Sequence, residues 1–226
     1  MEQHNQTVTF LWIESPRSER LRKAQMELER SCQNFGLSSQ HYTAGPDLVR
    51  FDDVLRFARS SCVGSAFVWA NSDITLTKNP FLVPDPTKVY GFFRRELPSN
   101  EINHGVDMYY IPIKWWDDYL SKDVPSLYLG ASYVDRWITV AMKKIGQYEN
   151  LTGYIDHITH ERSEASGNDT NVYYQKNFRE FNRWAKKNGV SQIQAPPYLV
   201  PKFGHVWGMR DLISKIKGNV KGKCKQ

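Results

Sequence analysis

The sequence predicts an α/β domain with a mixed, mostly parallel sheet flanked by helices. Short apolar runs alternate along the chain with longer stretches at helical spacing, and such alternation favours parallel pairing. The run Ala66–Ala70 is apolar at every position, as a strand covered on both faces must be. The chain has 226 residues, of which 40% are hydrophobic and 13% aromatic. That is enough to bury the core of one large domain and too apolar for a disordered chain.

The elements follow in order. Residues 7–13 read as a first strand, and Pro16 suits the first position of a helix whose apolar residues are Leu21, Ala24, Leu28, Cys32 and Phe35. Gly36 stands where a left-handed cap is favoured. A short strand at 41–43 precedes a helix marked by Phe51, Val54, Leu55, Ala58 and Cys62, with Asp52 and Asp53 at its start. After the Ala66 strand come a proline-rich connector (Pro80, Pro84, Pro86), a strand over 88–93 and another over 106–113. A short helix is expected over 115–120 and an extended piece over 126–129, ending at Gly130. Val134, Trp137, Ile138, Ala141, Met142 and Ile145 mark a further helix. Residues 153–160 read as the last strand, and Tyr174, Phe178, Phe181 and Ala185 line a long helix stopped by Gly189. No repeat or linker divides the chain, so 1–226 is read as one domain, with 190–226 a wrapping segment that ends in a basic tail.

Composition narrows the function. No apolar run approaches the roughly 20 residues that span a bilayer, and the polar start lacks the apolar core of a signal peptide. Three cysteines without metal-ligand spacing suit a reducing compartment, so a cytoplasmic protein with no membrane partner is expected. The net charge of +6 is concentrated in part at Lys215, Lys217, Lys221, Lys223 and Lys225. Such a tail attracts nucleic acid or stands as a solvated terminus. The phosphate-binding G-x-x-x-x-G-K-[ST], the dinucleotide G-x-G-x-x-G and the zinc-binding H-E-x-x-H are all missing from the sequence.

The most informative residues follow the Ala66 strand. Asp73 stands where a strand ends at the carboxyl edge of a sheet, the place where α/β folds hold ligands. A carboxylate there suits Mg²⁺ or Mn²⁺ bridging a diphosphate, or else Asn71 and Asp73 form an Asx-turn. The turn from Glu14 to Arg20 offers backbone N–H groups and arginines to an anion, or serves as an ordinary cap. Arg94 and Arg95 stand beside Glu96 at another strand end, either facing an anionic ligand or in a solvated salt bridge. Ser132 and Asp135 match a capping box, and the same Asp135 could take a proton from an attacking hydroxyl. Alternation over 155–162 puts Asp156, Ile158 and His160 on one face and His157 on the other. His160 is then the better ligand, while His157 packs or bonds internally. Tyr110, Trp115 and Trp116 could stack on a sugar or base, or belong to the core.

Taken in order, these residues resemble the glycosyltransferases of the GT-A fold. Residues 9–17 are similar to that fold's opening strand and nucleotide-contacting turn, and Trp69–Ile74 to its metal-binding acidic motif in an N-S-D-I form. Gly105–Tyr110 followed by Lys114–Trp116 is similar to an acceptor-side strand, and Leu129–Trp137 to the segment carrying an acidic helix-start residue. The resemblance covers about residues 7–162. It implies a Rossmann-like sheet and transfer of a sugar from a nucleotide-sugar, UDP-linked, to an acceptor hydroxyl. It also implies Mn²⁺ or Mg²⁺ on Asp73 and His160, and donor contacts from Glu14, Ser15, Arg17, Asn71, Ser72, Asp73 and Arg95. The base would be Asp135 first and Asp107 second, and Tyr110, Trp115 and Trp116 would face the acceptor. One departure stands out: Asn71 replaces the first carboxylate of the usual D-x-D. The acceptor could be a hydroxymethylated base in DNA, a glycan or a small molecule. A DNA-binding module without catalysis is the rival reading.

Overall fold

The structure, a computed structural model, describes residues 6–13, 19–44, 49–129, 133–144, 146–158 and 168–193. Seven strands are β1 (Thr7–Ile13), β2 (Ser38–Ala44), β3 (Ala66–Ala70), β4 (Ile74–Leu76), β5 (Val89–Leu97), β6 (Ile102–Pro112) and β7 (Tyr148–Ile158). The helices are α1 (Glu19–Asn34), α2 (Phe51–Ser60), α3 (Ile113–Asp118), α4 (Val134–Lys144) and α5 (Asn168–Lys187), with a 3-10 turn at Leu120–Lys122. The strands form one mixed sheet in the order β2-β1-β3-β6-β5-β7-β4.

Connection length sets the strand directions. Helices α1 and α2 carry the chain back across the sheet, so β2, β1 and β3 are parallel. Residues 98–101 close a hairpin in which Asn100, at φ 61°, donates its backbone N–H to Glu96 O at 2.7 Å. Strands β5 and β6 are therefore antiparallel, as are β3 with β6 and β4 with β7. Strand β7 returns through α4 and runs parallel to β5.

Several strands outrun their apolar stretches. Strand β5 continues to Leu97, β6 begins at Ile102 and β7 begins at Tyr148, while β4 is an addition to the expected set. The added residues are largely polar, and pairing with neighbouring strands keeps them extended. Between the pairs Phe92–Leu151 and Arg94–Ile155, β7 spends four steps against two of β5. Gly153 takes up the excess at φ 73°, a conformation costly for any residue with a Cβ.

The core lies on both faces of the sheet. Phe67 and Trp69 of β3 pack with α2, α4 and α5 in one cluster. Ala66, Val68 and Ala70 point the other way, into a second cluster with Leu28 and Cys32 of α1. This alternation explains a five-residue strand buried throughout. Truncating Trp69 or Trp137 to alanine would cost about 3–5 kcal/mol, the usual loss for a buried aromatic. Burial pushes the Cys32 thiol up to about 12, so it behaves as a small apolar filler.

Helix α5 ends at a turn where Asn182 donates to Ile193 O at 3.1 Å and accepts from Ile193 N at 2.8 Å. The remainder of the expected wrapping segment, residues 194–226 with the basic tail, lies outside the described residues. Among the described residues, no helix is long and apolar enough to cross a membrane.

Candidate functional site

The site begins where β3 ends. The backbone N–H of Asn71 donates to Asp107 O at 2.8 Å, continuing the β3–β6 ladder one step past its last strand pair. The Asn71 side chain repeats the tie, with Nδ2 2.7 Å from Asp107 Oδ1. The chain then turns through Ser72 and Asp73 into β4, whose first residue, Ile74, is buried and registers with His157. Asp73 is thereby held at the tip of a turn anchored on both sides, its side chain 26% exposed.

His157 is 5% exposed and stands between two carboxylates. Its Nδ1 is 2.6 Å from Glu96 Oε2, and its Nε2 is 3.4 Å from Asp73 Oδ2. Glu96 and His157 are cross-strand partners in the β5–β7 pairing, which places both on one face. Glu96 Oε1 accepts from Arg94 Nε at 2.6 Å and from Asn103 Nδ2 at 3.0 Å. Arg94 Nη1 then donates to Asp107 Oδ2 at 2.6 Å. Six side chains thus form a circuit, Asn71–Asp107–Arg94–Glu96–His157–Asp73, which leaves the acidic turn at one end and rejoins it at the other.

The circuit sets the charge of the site. Among the described residues, the circuit brings three carboxylates to one guanidinium and one imidazole. Burial alone would lower the pKa of His157, but hydrogen bonds to Asp73 and Glu96 outweigh it and hold the imidazole above its ordinary value. Burial pushes the Asp107 carboxyl up, against the opposing pull of Arg94. With Nδ1 committed to Glu96, His157 presents Nε2 toward Asp73. This is the arrangement in which an outer carboxylate orients a histidine ligand.

Among the described residues, Asp73 Oδ2 and His157 Nε2, 3.4 Å apart, are donors that could share a divalent ion. Among the described residues no three His, Cys, Asp or Glu side chains converge as a complete metal cage. Two protein ligands fit an ion that takes its remaining oxygens from substrate phosphates and water, as Mg²⁺ usually does. His160, Glu14, Ser15, Arg17 and Ser132 lie outside the described residues. Asp135 is the second residue of α4, which begins at Val134, and Tyr133 before it is at φ 85°, so the helix starts later than a cap at Ser132 would place it. Leu129, shortly before α4, donates its N–H to Val49 O at 2.9 Å. Val49 stands two residues before α2, which runs back toward the start of β3, so Leu129 lies at the same carboxyl edge as Asn71.

Several expected site residues are corrected. Arg95 points to the opposite face of β5 from Arg94 and is committed to Asp156 through two 2.8 Å bonds. Strand alternation imposes this, and makes Arg94 the member of the pair that joins the circuit. Asp107 is 5% exposed with both carboxylate oxygens engaged, so it is ill placed to take a proton from an acceptor. Tyr110 and Trp116 are core residues, each 3% exposed. Tyr110 Oη donates to Pro86 O at 3.1 Å, and Trp116 packs edge-on against Phe67 at 5.8 Å. Trp115 stacks on Tyr119 at 5.0 Å and donates its indole N–H to Thr87 O. Helix α3 starts where Ile113 N bonds Ser65 O, beside the first residue of β3. Trp115 and Trp116 therefore stand at the far end of that strand from Asp73.

Sequence reasoning missed His157 and Glu96 as partners of Asp73. The available signal was the shared face of Arg94 and Glu96, two residues apart in a strand. The register of β5 on β7, which brings His157 to them, is invisible in local pattern.

No family model matches the chain, and no curated protein matches it in sequence. Among solved structures it is similar to Staphylococcus aureus TarS in complex with UDP-GlcNAc, at 9% identity over 80% of this chain and 73% of that one, with a TM-score of 0.49. It is also similar to a Drosophila β-1,4-galactosyltransferase 7 variant in complex with manganese, UDP-Gal and xylobiose, at 12% identity over 70% and 72% of the two chains and a TM-score of 0.48. A glycosyltransferase involved in glycosylation of the major capsid of PBCV-1 aligns at 14% identity over 67% of this chain and 92% of its own, with a TM-score of 0.43.

Proposed function

We propose that the chain is a glycosyltransferase that moves a sugar from a UDP-linked donor to an acceptor hydroxyl. The observation that carries this reading is the pairing of Asp73 with the Nε2 edge of His157 at the end of β3. The resemblance of Trp69–Ile74 to the acidic motif of GT-A enzymes supports it.

Asp73 and His157 would hold Mn²⁺ or Mg²⁺, which neutralises charge developing on the departing diphosphate. Glu96 fixes the imidazole so that no reorientation accompanies binding. Ser72, beside Asp73 in the turn, and Glu14, Ser15 and Arg17, which follow β1, would contact the nucleotide. The acceptor hydroxyl would give its proton to Asp135 as its oxygen attacks the anomeric carbon. The acceptor is proposed to be a hydroxymethylated base in DNA, a reading supported by the net charge of +6 and the lysine-rich end.

A thermal-shift panel of nucleotide-sugars with and without Mn²⁺ tests the donor. UDP-sugars should raise Tm only with the metal, by mass action on the folded state. The Asp73→Ala variant should keep its fold, lose that shift and lose UDP-sugar hydrolysis. Equal shifts in both proteins, or none with any nucleotide-sugar, would overturn the reading. Mass spectrometry of hydroxymethylated and unmodified duplexes after incubation tests the acceptor.

A further inference from the structure

We infer that Asn71 is an obligatory strut: its amide ties the acidic turn to Asp107, and Asp107 and Arg94 are positioning residues that set Asp73 against His157. This rests on the donor-site reading above and assigns to Asn71 a task that a carboxylate in its place would fail.

Asn71 makes two bonds to one residue, backbone to backbone and side chain to side chain. The second needs a donor at position 71, because Asp107 Oδ1 accepts and an ionised carboxylate has no hydrogen to give. An aspartate there would set two carboxylates about 3 Å apart, a spacing at which like charges cannot both ionise without strain. Asp107 cannot turn aside, since Arg94 Nη1 holds its other oxygen at 2.6 Å. Arg94 in turn cannot withdraw without releasing Glu96 and, through it, the Nδ1 side of His157. The amide at position 71 is thus matched to its surroundings, which a carboxylate there would not be. Gly105 serves the same packing, since a Cβ there would fall 3.2 Å from Asn103 Oδ1 and 3.8 Å from the Arg94 guanidinium carbon.

The arrangement makes an exchange experiment informative. In Asn71→Asp the tie is lost. In the double variant N71D/D107N the amide and carboxylate trade places, so that the amide at position 107 can donate across the gap while its oxygen still accepts from Arg94. Wild type, both single variants and the double variant are compared by thermal and urea unfolding, which need no ligand, and by Mn²⁺ binding followed by electron paramagnetic resonance. N71D should lower Tm by roughly 4 °C or more, as a buried group without its partner does in a domain of this size. It should also weaken Mn²⁺ binding about 10-fold, and the double variant should recover most of both losses. Tighter Mn²⁺ binding by N71D at unchanged stability would overturn the inference and make Asn71 a weakened ligand instead. A double variant no better than the sum of the singles would also overturn it. If wild type binds neither Mn²⁺ nor a nucleotide-sugar, the donor-site reading fails, while the unfolding data still decide whether the tie exists.

Discussion

The imidazole of His157 and the carboxylate of Asp73 meet across the β4–β7 pairing, with Nε2 3.4 Å from Oδ2. The contact depends on a second carboxylate, because Glu96 fixes the other nitrogen of the ring. The first prediction concerns that support. Glu96→Gln keeps the shape of the side chain but removes the charge that orients His157. Mn²⁺ affinity should fall by roughly 10- to 100-fold, the usual cost of losing an outer partner of a metal ligand. Binding isotherms at fixed pH check this, and unchanged affinity would show that Glu96 contributes only to packing.

A second prediction concerns pH in the metal-free protein. The pKa of His157 is raised in the folded state above its ordinary value of 6.5. Its protonated form therefore stabilises the fold fully below 6.5, and this contribution is lost as pH rises through the raised folded value. The stability difference between wild type and His157→Gln should shrink with rising pH across that window. Urea midpoints at a series of pH values measure it; a constant difference would mean that the ring does not titrate in this range.

Asn177 provides a third. Fully buried in α5, it donates to Tyr128 O at 2.9 Å and accepts from Tyr128 N at 2.8 Å, satisfying both backbone groups of that residue. Asn177→Ala should cost about 1–3 kcal/mol for each backbone group left without a partner. Asn177→Asp, which sets a buried carboxylate oxygen against the Tyr128 carbonyl, should destabilise at least as much as the alanine variant in urea unfolding.

A fourth compares two glycines. A Cβ at Gly91 would fall 2.0 Å from Tyr148 Oη and 3.0 Å from Val106 Cγ1, so the Tyr148 ring, whose hydroxyl is bonded to Thr139 and Asn150, would have to shift. Gly91→Ala should destabilise by about 1–3 kcal/mol through overpacking. At Gly105 the nearest obstacle is a movable amide, so Gly105→Ala should cost less. Reversal of that order in parallel melts would contradict the described packing.

The alternation of apolar stretches made much of the fold legible. β1, β3, α1, α2, α4 and α5 carry apolar residues at the period of their own element, and that signal is local. β4 has three residues and no room for a period. The end of β5 over 94–97 and the starts of β6 over 102–105 and β7 over 148–152 are largely polar, so hydropathy marks them as loops. The position of Asp73 just past a buried run was legible for the same local reason. The partners of Asp73 were not, since they arrive from β5, β6 and β7 through a register that no single stretch encodes. Tyr110 in β6 and Trp116 in α3 illustrate the converse: an aromatic in a strand or a short helix looks the same whether it faces a ligand or the core.

Strand β7 is gripped on one side by β5 and on the other by β4, each in a fixed register. Sliding it by a single residue in one direction would exchange His157 for Asp156 and bring a third acid between Glu96 and Asp73, and in the other direction would put Ile158 there. In the first case mutual repulsion would drive the misaligned sheet apart. The same triplet proposed to serve a cation when correctly threaded therefore penalises misthreading in that direction, so the constellation proposed for chemistry also proofreads the assembly of the sheet around it.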